Sequence, residues 1–175
     1  IYLDADILTF GSIGRLASRL DGESLVLTPH LTAPVNDGGL PDDDAVLKSG
    51  LFNGGCIAVR DDADARRFLD WWRGKLRYEC VADLASRRYL DQTFLDMAPC
   101  LVGGTGIERD LGYNVGYWNL SQRRVEKGEG GGWTANGRPL VFFHFSGFDA
   151  TRPSEITQRG TRREFRDPGA LAARG

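Results

Sequence analysis

Residues 1–7 read "IYLDADI", an apolar run that ends in two acids with one residue between them. Ile1 to Leu3 combine a β-branched, an aromatic and an aliphatic residue, which predicts a buried strand. Side chains alternate along a strand, so Asp4 and Asp6 can face the same side, with Cα atoms roughly 6–7 Å apart. Like charges that close repel unless something positive lies between them. At the carboxyl end of a strand in an α/β sheet, a divalent cation answers that need. D-x-D is short and common, so a pair of acids closing a turn is the competing reading.

Outward from this stretch the chain alternates strands and helices. Residues 12–20 fit a short helix, with Ile13, Leu16, Ala17 and Leu20 on one face. "SLVLT" is a strand, and "PHLTAPVNDGGLPDDD" an extended surface loop. In that loop Asp42 to Asp44 follow Pro41 and fit the start of a helix, where acids favour the dipole. "LFNGGCIAV" is a buried strand whose glycine pair predicts a close approach by a ligand or another backbone. A helix then starts at Asp61, with Phe68, Trp72, Leu76 and Cys80 every four residues. Trp72 lies on that stripe, so core packing is preferred over sugar stacking for Trp71 and Trp72. "YLDQTFLDM" forms a shorter helix that stops at Pro99, and "WTANGRPLVFFHF" reads as a hairpin around Asn-Gly. The sum is an α/β fold with a mixed sheet. After Pro153 the sequence is Arg-rich without a period, and residues 154–175 are expected to be a loosely ordered tail.

Composition narrows the function. At 175 residues, 41% hydrophobic and 26% charged, the chain can bury one substantial core. A formal charge of −2 provides no bulk attraction to nucleic acid. No apolar run approaches the roughly 20 residues that cross a bilayer. Cys56, Cys80 and Cys100 are odd in number and lack metal-site spacing, so buried reduced thiols are expected. That favours a reducing, cytoplasmic compartment, with the Arg-rich tail allowing peripheral contact at the inner face of the membrane. Gly, at 23 residues, stands well above the usual ~7% and shapes long loops.

His144, in "VFFHFSG", is one of two histidines and follows a strongly apolar strand. A satisfied core imidazole is its plain reading. As a ligand beside Asp4 and Asp6 it makes a mixed oxygen and nitrogen site, which suits Mn²⁺ and accepts Mg²⁺ less well. His30 sits in a loop and reads as surface or local packing.

Taken in order, "YLDADI", "LFNGGCIAVR", "LDQTFLD", "GYNVGYW" and "FFHFSGFD" resemble the metal-binding half of a GT-A glycosyltransferase. The group that contains glycogenin and the lipopolysaccharide galactosyltransferases is the nearest. Each motif alone is weak, but five in the correct order across residues 1–153 are fairly specific. The resemblance implies that the chain is a partial GT-A domain without the βαβ units that hold the nucleotide base. It implies Asp4, Asp6 and His144 as ligands of Mn²⁺ or Mg²⁺, with Asp4 also near the ribose of the nucleotide. Asn53 and Gly54 match the segment that lines the sugar pocket. Asp91 matches an acid that binds hydroxyls of the transferred sugar, and Gln92 a residue near its anomeric carbon. Tyr113 and Asn114 match a pair on the acceptor side, where Trp118 is the aromatic to place nearby. The family ending is H-x-x-G-x-x-K-P-W. Here His144 and Gly147 are kept, Ala150 stands where the Lys should be, and Arg152 with Pro153 come two residues late. Arg152 can bind phosphate bidentately.

The implied activity is metal-dependent transfer from a nucleotide-diphosphate sugar, a uridine-diphosphate sugar first, to a glycan or other hydroxyl acceptor, with retention. A non-catalytic sugar-nucleotide-binding or scaffold remnant of the same fold is the alternative. A D-x-D phosphatase is weaker: Ile7 and Leu8 follow Asp6, the only lysines are Lys48, Lys75 and Lys127, and no late acidic pair follows a strand.

Overall fold

A computed structural model describes residues 1–162. The chain divides into two compact units. The first comprises Ile1–Leu3, Ile13–His30 and Asp44–Arg109; the second comprises Asp4–Ser12, Leu31–Asp43 and Asp110–Gly175, described up to Arg162. Both contain sheet, and helices are added to the first, so the chain is mixed α/β.

The first unit is organised by a four-stranded sheet of order β1-β4-β3-β7: β1 (Tyr2–Leu3), β3 (Leu25–Pro29), β4 (Phe52–Val59) and β7 (Thr105–Ile107). β3 runs antiparallel to β4 and parallel to β7, so the sheet is mixed. Continuous apolar sequence predicts strands covered on both faces, and β3 is buried throughout. β1 differs from the expectation. It is a two-residue edge strand, with Ile1 49% and Tyr2 57% exposed, because among the described residues only β4 pairs with it.

Helix α1 (Gly14–Arg19) buries only Leu16 of the four-residue face. Helix α2 (Asp43–Ser49) starts inside the acidic triplet, as its charge predicts. Helix α3 (Ala63–Glu79) is capped by Asp62, whose side chain accepts from the Ala65 N–H. That bond, with the Ser24 hydroxyl and Arg60, holds the Asp62 carboxyl below its usual range. Phe68 of α3 is buried in the core with Leu25, Leu27, Ile57 and Leu95, and Trp71 and Trp72 pack against it. The stripe ends before Cys80, the C-cap residue, which is exposed. Cys100 is exposed as well, so of the three cysteines only Cys56 is the buried thiol expected of them all.

A small antiparallel pair, β5 (Ala82–Asp83) and β6 (Arg88–Tyr89), follows α3. Residues Gln92–Met97 then form a 3₁₀ helix that runs directly into α4 (Ala98–Leu101). Pro99 therefore does not stop the helix. It occupies the first turn of α4, where a missing N–H costs nothing.

The second unit holds two three-stranded sheets. β2 (Ile7–Thr9), β12 (Phe142–His144) and β8 (Val115–Gly116) form one, with β12 in the centre. β9 (Val125–Lys127), β10 (Trp133–Ala135) and β11 (Arg138–Pro139) form the other. The Asn-Gly hairpin joins β10 and β11, with φ of 50° at Asn136 and 75° at Gly137. The second arm is shorter than its apolar sequence predicts, and β12 belongs to the other sheet. Of the expected loose tail, residues 163–175 lie outside the described residues. Before them Thr157 and Arg162 are buried, and Arg162 forms a bidentate pair with Asp37 at 2.9 and 2.8 Å.

Candidate metal centre

The two acids are not on a strand. The chain leaves the first unit after Leu3, and Asp4 to Asp6 form a tight turn closed by the Ile7 N–H donating to the Asp4 carbonyl at 3.2 Å. β2 then pairs antiparallel with β12 in a register that sets Ile7 opposite His144. The Phe145 N–H donates to the Asp6 carbonyl at 2.8 Å and extends that pairing to the turn. This pairing of Ile7 with His144, 137 positions apart, brings the Asp4 and Asp6 carboxylates to one imidazole.

His144 Nε2 lies 2.9 Å from Asp6 Oδ1 and 3.7 Å from Asp4 Oδ2. One ligand atom from each of the three residues falls within 4.8 Å of the others. Adjacent donors on an octahedral ion with bonds of 2.0–2.1 Å stand about 3 Å apart. The Asp6 and His144 spacing already fits that, and Asp4 needs only a small side-chain movement. Two carboxylates and one imidazole are a donor set that divalent cations accept. The His144 side chain is 5% exposed, the acids 37% and 46%, so the site is open on its acidic side.

Burial lowers the His144 pKa; Asp6 and Asp4 oppose that shift, and Arg159 adds to it. That shift favours the neutral imidazole, the form that binds a metal. Its Nδ1 is buried without a hydrogen-bond partner among the described residues. Packing holds the ring instead: Trp118 meets it edge to face at 5.2 Å and 87°. Gly116, paired with His144 across β8 and β12, makes room for this. A Cβ there would stand 2.5 Å from the Trp118 ring. Trp118 is 4% exposed and belongs to the wall of His144 rather than to an open acceptor surface.

The other site residues of the second unit divide. Tyr113 and Asn114 are buried, Tyr113 edge-on against Phe142 and Asn114 with its carbonyl accepting from Asn119 Nδ2 at 2.9 Å. Neither presents a side chain to solvent. Gly147 has φ of 77°, and a Cβ there would lie within 3.1 Å of Arg159. Arg152 is exposed and pairs loosely with Glu155 at 3.8 Å. The cation that borders Gly147 and acts on His144 is thus Arg159, which the sequence pattern did not single out.

Within the first unit, "FNGG" and "LDQTFLD" meet. A Cβ on Gly54 would lie 3.3 Å from Asp91 Oδ2 and from Gln92 Cβ, and this is the close approach the glycine pair predicts. The Asp91 carboxylate makes no hydrogen bond to another described residue, while its carbonyl accepts from Trp72 Nε1 at 3.1 Å. Gln92 is engaged at both ends of its amide, accepting from the Gly54 N–H at 3.4 Å and donating to the Ser49 carbonyl at 2.8 Å. Asn53 is buried. Its Oδ1 accepts from the Gly55 N–H at 2.9 Å, which leaves Nδ2 to donate to His30 Nε2 at 3.1 Å. His30 is therefore a buried support for Asn53 and not a surface residue. Its position at the end of a buried strand was the available signal. Asp96 was also missed: it accepts the Leu51 N–H at 2.8 Å, and burial raises its pKa.

No known protein-family profile matches the chain, and no solved structure does. Two curated proteins of Bacillus subtilis are similar to it. The uncharacterized protein YfnF is 30% identical over 109 residues, 62% of this chain and 36% of that protein. The uncharacterized protein YfnD is 25% identical over 157 residues, 89% of this chain and 48% of that protein. The chain thus spans less than half the length of the curated relatives it matches. Among the described residues no helix is long and apolar enough to cross a membrane.

Proposed function

We propose that this chain is the metal-binding part of a GT-A-type glycosyltransferase, which moves a sugar from a nucleotide-diphosphate sugar to a hydroxyl acceptor, with retention. The observation that carries the reading is the convergence of Asp4, Asp6 and a buried His144 from distant parts of the chain. These three residues would hold Mn²⁺ or Mg²⁺, which would neutralise the diphosphate leaving group. Asp91 accepts hydrogen bonds from hydroxyls of the donor sugar through its unengaged carboxylate. Gly54 lies against Asp91, Asn53 precedes it on the same strand, and the Gln92 amide holds the Gly54 N–H and the Ser49 carbonyl. Arg159, rather than Arg152, is the guanidinium that borders Gly147 and acts on His144, and we assign it to the phosphate side.

A second reading, a sugar-nucleotide-binding module without turnover, is favoured by the Gln92 amide, both ends of which are occupied by backbone. The two readings share the metal site and part at release of free uridine diphosphate.

The test is a calorimetric titration of Mn²⁺ in the presence of uridine diphosphate, on this chain and on His144→Ala. The expected result is binding that weakens at least tenfold in the variant, about 1.4 kcal/mol. Equal affinity in the two proteins removes His144 from the site and the reading with it.

A further inference from the structure

Arg159 acts on His144, yet residues 157–162 around it contain neither strand nor helix. What ties this strap down therefore decides where the guanidinium stands. An irregular segment satisfies its backbone groups outside regular ladders, so its ties can be followed bond by bond.

At the near end the strap is tied to the turn after β12. The buried Thr157 donates its hydroxyl to the Ser146 carbonyl at 2.9 Å and accepts the Arg159 N–H at 3.1 Å. The Gln158 N–H donates to the Gly147 carbonyl at 3.1 Å. At the far end it is tied to residues 37–40 of the same unit. The Thr161 N–H donates to the Leu40 carbonyl at 3.2 Å, and the Leu40 N–H to Thr161 Oγ1 at 3.0 Å. Arg162 adds a bond to the Gly39 carbonyl at 3.0 Å to its bidentate pair with Asp37.

The loop is shaped to receive that guanidinium. The Gly39 N–H donates to Asp37 Oδ1 at 3.0 Å, and a Cβ on Gly39 would stand 2.8 Å from Arg162 Cγ. The Arg162 side chain is left 3% exposed. An ordinary surface ion pair needs no such socket and contributes little. A bidentate, desolvated one fixes geometry more than it adds stability. The geometry fixed here is that of Arg159, which sits between the two ties. It matters at the metal cluster for a simple reason. Two carboxylates cancel the charge of a divalent ion, so a neighbouring guanidinium decides whether the loaded cluster attracts an anion.

We propose that Arg162 and Asp37 are a positioning pair: by clasping the strap to residues 37–40 they hold Arg159 beside the metal cluster and set the affinity of that cluster for a diphosphate. This rests on the glycosyltransferase reading for the diphosphate, and neither residue belongs to the metal cluster itself.

The experiment is calorimetry with uridine diphosphate at saturating Mn²⁺. The proteins are the wild type, Arg162→Gln, Asp37→Asn, Arg159→Gln and the variant carrying both Arg162→Gln and Arg159→Gln. Circular dichroism and a Mn²⁺ titration without nucleotide are the checks, and Asp37→Asn breaks the pair from its exposed side should the buried substitution disturb folding. The expected losses are about fivefold or more for Arg159→Gln and about threefold for either clasp variant, with Mn²⁺ affinity without nucleotide kept in both clasp variants. In the Arg159→Gln background, Arg162→Gln should add less than about a twofold loss, because a residue that acts through Arg159 has nothing left to position. Arg162→Lys, which keeps the charge without the bidentate fork, should recover part of the loss.

Clasp variants that bind uridine diphosphate as the wild type does, or losses that add in the double variant, overturn the proposal. So does loss of Mn²⁺ binding in the clasp variants, since the pair would then hold the cluster and not Arg159. A wild type that binds no uridine diphosphate overturns the glycosyltransferase reading and the clasp together, whereas binding that needs His144 and ignores Arg162 overturns the clasp alone.

Discussion

The two units hold their candidate site residues by different means. In the first, Asn53, Gly54, Asp91 and Gln92 ride on a strand and a 3₁₀ helix that enclose a continuous apolar core of Leu25, Leu27, Phe52, Phe68 and Leu95. In the second, short strands surround a set of buried polar groups. Asn114, Asn119, Arg123 and His144 are each at most 4% exposed. Arg123 donates to the Leu111 and Tyr113 carbonyls, and its burial lowers the guanidinium pKa to about 10. The first unit rests on area removed from water, which is strong and non-directional, and hydrogen bonds to Asn53 and Gln92 set their geometry within it. The second adds to a smaller apolar cluster of Val115, Leu120, Ala135, Leu140 and Phe143 a set of buried polar groups, whose directional contacts specify geometry but contribute modestly to stability.

That contrast can be broken by substitution. The largest effect is expected for Leu27→Ala, which opens a cavity at a fully buried position. Its cost is about 2–5 kcal/mol, read as a lower denaturation midpoint in urea. A loss below about 1 kcal/mol would mean that apolar packing is not what holds the first unit.

Gly116→Ala comes next. Its Cβ would lie 2.5 Å from the Trp118 ring, so the ring must move away from His144. We expect a loss of about 1–3 kcal/mol, as for overpacked sites. Weaker Mn²⁺ binding and a shifted tryptophan emission should accompany it. Unchanged metal affinity with the emission shifted would show that Trp118 does not orient the imidazole.

The smallest effect is expected for Asp37→Asn. Arg162 holds the Asp37 carboxyl down to about 2, below the ~3.9 of an unfolded chain. The pair's contribution is thus fully present above about pH 4 and is lost as pH falls toward 2. Because the Asp37 side chain is 40% exposed, we expect no more than about 1 kcal/mol at neutral pH. Acid titrations of the two proteins should converge between pH 4 and 2, and parallel curves would place the acid sensitivity elsewhere.

Where local pattern carried the information, it was legible. The strands "SLVLT" and "LFNGGCIAV", the helix over Ala63–Glu79, the Asn-Gly turn and the acids before α2 lie where their residues predict. Each depends on neighbours a few positions away, which periodicity and turn chemistry encode. The errors share a cause. The pattern makes Pro99 a stop because two successive helices look like one in sequence, and it puts Cys80 in the core because a stripe does not announce its last turn.

By itself, then, the sequence determined the alternation of strands and helices, the apolar core of the first unit and the residue types able to bind a divalent ion. Only the tertiary structure decided that Asp4 and Asp6 lie on a turn, that β12 pairs with β2 to bring His144 to them, and that Trp118 is spent on packing that imidazole. It also decided that Arg159, not Arg152, borders Gly147. The physical reason is range. Hydrophobic period and turn propensity act over a few residues, whereas register between distant strands and the burial of a polar side chain are settled by contacts that exist only once the chain has folded.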